Sequence, residues 1–201
     1  LASDFRYDGS SRFGKNNRFG TFPAFSLGYR ISEEAYMEKT REWLSDLKLR
    51  FGWGQTGNQE TANTAVHTLY VTDYGMGDPT WTSLNGTSYD LTGKGGTSLP
   101  SGYKKVQQGN PDLKWETTTQ TNIGLDFGFF DQKLYGTAEY YIKKTKDILV
   151  QPPYLGIIGE GGYCWYNGAS MENKGFEVSL GYRDQTPFGL SYDISGNISG
   201  Y

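Results

Sequence analysis

The chain has 201 residues, with 19 basic and 22 acidic side chains, a net charge of −3 and one cysteine, Cys164. That balance excludes the basic stripe of a nucleic-acid binder, and the cysteine count excludes an internal disulfide or a Cys/His zinc cluster. Glycine reaches 28 residues and aromatics 16%, while hydrophobic residues make up only 36%, fewer than a soluble domain of this size usually carries.

No run approaches the roughly 18 apolar residues of a transmembrane helix, and no charged start followed by an apolar stretch marks a signal peptide. Strands of a membrane barrel keep a low mean hydropathy, because only every second side chain meets lipid. Period two is therefore the pattern to look for.

In chain order, residues 1–7 read as a weakly signalled strand and 8–18 as a connection of medium length. Residues 19–31 alternate, with Phe19, Phe25, Leu27, Tyr29 and Ile31 on one side and Gly20, Ser26, Gly28 and Arg30 on the other. Residues 32–46 are expected to hold one short helix, with Ser32 as its cap and Glu33 and Glu34 at its positive end. Residues 47–56 set Leu47, Leu49, Phe51 and Trp53 against Lys48, Arg50, Gly52 and Gly54.

Residues 57–114 lack periodicity, which is rare inside a compact soluble domain. The clearest alternation covers 115–129: Ile123, Leu125, Phe127 and Phe129 oppose Asn122, Gly124, Asp126 and Gly128. A short turn is expected at 130–132 and a strand at 134–143. A long connection spans 150–173, and 175–183 and 188–201 form two more strands around a turn at 184–187. Several strands exceed the usual 5–6 residues. Short connections alternate with long ones, the asymmetry of outer-membrane barrels.

Motifs for other chemistry are weak. Gly52-Trp-Gly-Gln-Thr-Gly57 has dinucleotide-site spacing, but no helix follows to meet a phosphate. Glycines facing a barrel interior explain it better. Glu116, Asp126, Glu139, Glu177 and Asp193 fall on polar faces, and nothing pairs two of them as a glycosidase requires. His67 stands in a polar stretch and reads as a solvated loop residue. Trp43, Trp53, Trp115, Phe129, Phe130, Tyr140 and Tyr141 cluster near strand ends and read as interfacial girdles. The loop aromatics Tyr74, Trp81, Tyr89, Tyr163, Trp165 and Tyr166 either stack on sugar rings or pack the loops against each other, and both readings stay open.

Several blocks together resemble the SusC/RagA family of TonB-dependent receptors. They are Arg6-Tyr-Asp-Gly-Ser-Ser-Arg-Phe-Gly14 with Phe22-Pro23 and Ser26-Leu-Gly28, Leu47-Lys-Leu-Arg-Phe-Gly-Trp-Gly-Gln-Thr-Gly-Asn58, and Asn110-Pro-Asp-Leu-Lys-Trp-Glu116 running into Asn122-Ile-Gly-Leu-Asp-Phe127. Tyr140-Tyr141, Thr145-Lys-Asp-Ile-Leu149 and Asn173-Lys-Gly-Phe-Glu177 complete the set.

The resemblance implies an all-β, antiparallel transmembrane barrel of 22 strands with a plugged lumen. Residues 1–201 would supply about seven strands of it, with the plug domain and the other strands outside them. It further implies a cell outer membrane location in a Gram-negative bacterium and no enzymatic activity. The expected function is import of oligosaccharides or peptides, with a SusD-like surface lipoprotein, TonB acting through the missing N-terminal part, and outer-membrane lipid as partners. No nucleic acid, cofactor or metal enters this reading, and the six loop aromatics are its expected substrate contacts. Two alternatives remain: a soluble β-sandwich that binds carbohydrate, and a β-rich glycosidase.

Overall fold

The computed structural model describes residues 1–72, 103–152 and 162–201. Among them are the strands β1 (Ala2–Gly9), β2 (Phe19–Arg30), β3 (Leu44–Asn58), β4 (Leu69–Thr72), β5 (Tyr103–Gln107), β6 (Glu116–Phe129), β7 (Leu134–Val150), β8 (Tyr166–Gln185) and β9 (Ser191–Gly200). Seven form one sheet in the order β1-β2-β3-β6-β7-β8-β9, with every pairing antiparallel. The pair β4–β5 stands apart, inside the excursion between β3 and β6. A sandwich needs a second sheet across its apolar face. Among the described residues the other sheet is this pair of four- and five-residue strands, too small to cover the face of a seven-stranded sheet.

The register turns the alternation into two chemical faces. Tyr29, Leu49, Leu125, Ala138, Val178 and Ile198 lie in one cross-strand row. One residue along, Gly28, Arg50, Gly124, Glu139, Glu177 and Ser199 form the next, and it points the other way. Leu125 and Asp126 therefore occupy opposite sides, as the period-two reading requires. The apolar face is open to its surroundings: Leu49 is 42% exposed, Ile123 49% and Ile198 64%. A contiguous apolar face of this extent marks a surface built for an apolar partner.

That apolar belt crosses the sheet obliquely. In β9 it comprises Tyr192, Ile194 and Ile198 around Gly196, whose row runs through Leu180, Gly136 and Phe127 to Leu47. In β1 it comprises Phe5 and Tyr7, which face Pro23 and Thr21. Those partners lie beyond the Ala24–Gly54 pair, several residues further along β3 than Leu47. Strands tilted to a barrel axis need this slant if the belt is to be level.

Connections at one end of the sheet are tight. Phe130, Asp131 and Gln132 all adopt left-handed backbone angles, and the Lys133 N–H donates to the Phe130 carbonyl, closing the turn between paired Phe129 and Leu134. Lys133 pairs with Asp184 at 2.9 Å. The turn expected at 184–187 falls later. Pairing persists through Gln185–Ser191, and the reversal is closed by Thr186 N–H donating to the Leu190 carbonyl, with Gly189 at φ +93. Phe188 and Leu190 belong to that turn rather than to β9.

Two further expectations change. Residues 32–46 hold two 3-10 turns, Ile31–Glu33 and Ala35–Thr40, in place of one helix. Ser32 lies inside the first turn and caps nothing; its hydroxyl donates to Asp46 Oδ1 at 3.4 Å. The connection expected at 150–173 shrinks to 151–165, because β7 and β8 run on as a paired ribbon through a bulge between Thr145 and Ile148.

Candidate functional site at the long-connection end

The packed core of the chain lies at the end of the sheet where the long connections leave, rather than beneath the sheet. Phe13, Phe22, Ala65, Leu113 and Trp115 form it, with Ala62, Val66, Leu149 and Trp165 packed against it. The Trp115 ring lies 5.1 Å from Phe13 and 5.4 Å from Phe22, and its Nε1–H donates to the Arg18 carbonyl at 3.2 Å. Trp115 is thus a loop-core residue, not a girdle residue. Tyr141 is also misplaced by the girdle reading: it pairs with Asn122 and Gly175 on the polar face.

Local chemistry explains why these segments meet. Gly14 is buried, and an added Cβ would overlap the Pro111 carbonyl oxygen. Asn110 accepts the Asp112 N–H to turn the chain and donates Nδ2–H to the Trp165 carbonyl at 2.8 Å. Asn167 accepts the Lys114 N–H at 3.0 Å and donates to the carbonyls of Lys114 and Asp147, each at 2.8 Å. The blocks around Phe13-Gly14 and Asn110–Trp115, far apart in sequence, therefore interlock as one platform.

The six predicted site residues divide here. Tyr74, Trp81 and Tyr89 lie outside the described residues. Tyr163 is 58% exposed, and its backbone carbonyl accepts the Gln108 N–H, placing it beside β5. Tyr166 starts β8 opposite Val150 and is exposed. Trp165 lies between them, half-buried against the core, with a buried Nε1 that has no partner among the described residues. Tyr70 on β4, opposite Lys105 of β5, is also exposed. Alternation does not reveal it, because β4 has only four residues.

On the polar face, Arg50 bonds Asp126 through Nη2 at 2.9 Å and reaches Glu139 at 3.5 Å. Asn122 Nδ2 donates to the other Glu139 oxygen at 3.0 Å. Gly52 leaves open space beside them, so Ser26, Lys48, Arg50, Gly52, Asn122 and Glu139 line a shallow depression of about 330 Å³. Two of the other three acids are also engaged: Glu116 accepts from Asn58 and the Leu149 N–H, and Asp193 accepts from the Tyr135 hydroxyl. Among the described residues no His, Cys, Asp and Glu side chains gather into a metal site.

Long antiparallel strands, tight turns at one end, long excursions at the other, and one apolar and one polar face define the wall of a transmembrane-type β-barrel. Residues 3–201 match the family described as TonB dependent receptor-like, beta-barrel, and the chain belongs to that family. It is 37% identical over 200 residues to the TonB-dependent receptor SusC of Bacteroides thetaiotaomicron, a match covering 96% of this chain and 18% of the relative. It is 34% identical over 201 residues to the TonB-dependent receptor P39 of Formosa agariphila, covering 99% of this chain and 17% of the relative. Among solved structures, the RagAB peptide importer in the closed-closed state superposes with a TM-score of 0.75 and 29% identity, over 98% of this chain and 19% of that one. The chain spans less than a fifth of the length of these relatives. They are receptors and importers, not enzymes.

Proposed function

We propose that residues 1–201 form part of the barrel wall of an outer-membrane TonB-dependent importer of oligosaccharides, with peptides as the second substrate class. In this reading the apolar face meets outer-membrane lipid of a Gram-negative cell and the Arg50–Asp126–Glu139 face lines the lumen. The plug domain and the remaining strands lie outside these residues, TonB acts through that part, and a SusD-like surface lipoprotein covers the long-connection end. The observation that carries the proposal is the oblique apolar belt, in a chain similar to relatives named as TonB-dependent receptors. The glycine- and aromatic-rich loops favour glycans, whose rings can stack on Tyr and Trp; the likeness to the RagAB peptide importer favours peptides.

Substrate contact is assigned to the six aromatics Tyr74, Trp81, Tyr89, Tyr163, Trp165 and Tyr166, five of them on the two long excursions and Tyr166 at the start of β8. Tyr163 and Tyr166 present exposed rings, and Trp165 seats them on the packed core. Replacing Trp81 and Tyr163 together by Ala in the full-length importer removes two stacking contacts of about 1 kcal/mol each. Uptake at limiting substrate should then fall roughly 30-fold, with surface expression unchanged. Uptake of labelled oligosaccharides and of labelled peptides is measured side by side. Normal uptake of both in the double variant would remove these residues from the site.

A further inference from the structure

Just beyond the apolar belt, at the long-connection border, the outward face carries an excess of positive charge. The apolar run of β7 ends at Ile142, and the next residues on that face are Lys144 and Lys146. The run of β8 ends at Phe176, and the next are Lys174 and Glu172. The register confirms the placement: Ile142 pairs with Lys174, and Lys144 lies between Thr119 and Glu172. Lys144 Nζ lies 2.8 Å from one Glu172 oxygen and Lys174 Nζ 2.6 Å from the other.

The Glu172 carboxylate, bonded to both ammoniums, holds the two lysines side by side. Each ammonium has three donors and uses one on Glu172, leaving the others for an outside acceptor. Lys146, opposite Thr117, makes no ion pair among the described residues. Three lysines against one carboxylate leave two net charges on this short stretch. At the other border of this face Lys133 is matched one to one by Asp184.

We propose that Lys144, Lys146 and Lys174, organised by Glu172 and flanked by Thr119, bind the phosphate of an outer-leaflet lipid headgroup. Position and charge select the occupant. The cluster continues a face whose lower part meets acyl chains, so a ligand reaching it from that side carries its polar group at this height. Ammonium groups on a membrane border select anionic headgroups, and a tetrahedral phosphate can accept from two adjacent ammoniums at once. The inference rests on the membrane reading of the apolar belt proposed above.

The test reconstitutes the full-length importer in phosphatidylcholine vesicles. Electron spin resonance then compares the association of spin-labelled phosphatidic acid with that of spin-labelled diacylglycerol, the same lipid without phosphate. The wild-type barrel should prefer phosphatidic acid severalfold. The combined substitution Lys144→Gln, Lys146→Gln and Lys174→Gln should bring the preference to near unity, and the corresponding arginine substitutions should keep it. An unchanged preference in the inserted glutamine variant, or loss of the preference on adding millimolar inorganic phosphate, would overturn the lipid site alone. Failure of the wild-type barrel to insert would overturn the membrane reading and the site together.

Discussion

Neighbouring residues of one strand meet opposite demands here, and Leu125 and Asp126 show it most directly. Leu125 sits between Leu49 and Ala138, while Asp126 turns the other way onto Arg50. Arginine at position 125 would carry its charge to the middle of the apolar belt, at a cost of about 2–4 kcal/mol in a bilayer. At Thr137, exposed on the polar face and paired with Asp126, the same substitution should cost less than about 1 kcal/mol. Urea unfolding of the full-length barrel from vesicles measures both; equal costs would contradict the face assignment. These pairs were legible from alternation alone. Trp115 and Tyr141 were not. Trp115 immediately precedes the first residue of β6, where a ring can leave the pleat for the loop core. Tyr141 has an aromatic neighbour, Tyr140, so ring clustering could not say which of the two faced outward.

At the scale of elements, alternation located strands wherever the pleat was unbroken and lost them where it was not. β7 continues eight residues past its last clear apolar position, Ile142, but Asp147 takes φ 57 at the bulge and shifts the parity of the residues after it. In the first half of β8 the outward positions are Lys174 and Glu172, so both faces are polar and the contrast disappears. The Asn110–Trp115 block is legible as a motif, while its partners Gly14, Trp165 and Asn167 come only from tertiary contact. Asn167 is the bracket between β8, the Lys114 backbone and the left-handed Asp147. Asn167→Ala in the full-length importer should leave the barrel inserted and free the Lys114 N–H, whose acceptor is Asn167 Oδ1. Losing these bonds should cost about 1–3 kcal/mol locally, read as roughly 10- to 100-fold faster exchange of the Lys114 amide. Unchanged exchange would show that packing of Trp115 alone holds the platform.

For the whole molecule, the sheet's two edges and its slanted belt carry information that no single strand holds. β1 and β9 each have one partner among the described residues, so the sheet is an arc of wall rather than a closed body. Period two separates the faces but is silent on height; only the register reveals that the belt rises from Gly196 in β9 to Phe5 in β1. A belt perpendicular to the strands would suit untilted strands, which cannot close into a barrel. The observed climb is instead what a level hydrocarbon layer imposes on strands inclined at about 35–45° to the barrel axis. Polarised infrared dichroism of the amide bands, measured on the full-length importer in oriented bilayers, should therefore give a mean strand tilt of about 35–45°. A mean tilt near zero would mean that the belt's slant has another cause, and the register would then place Phe5 and Tyr7 above the lipid rather than in it.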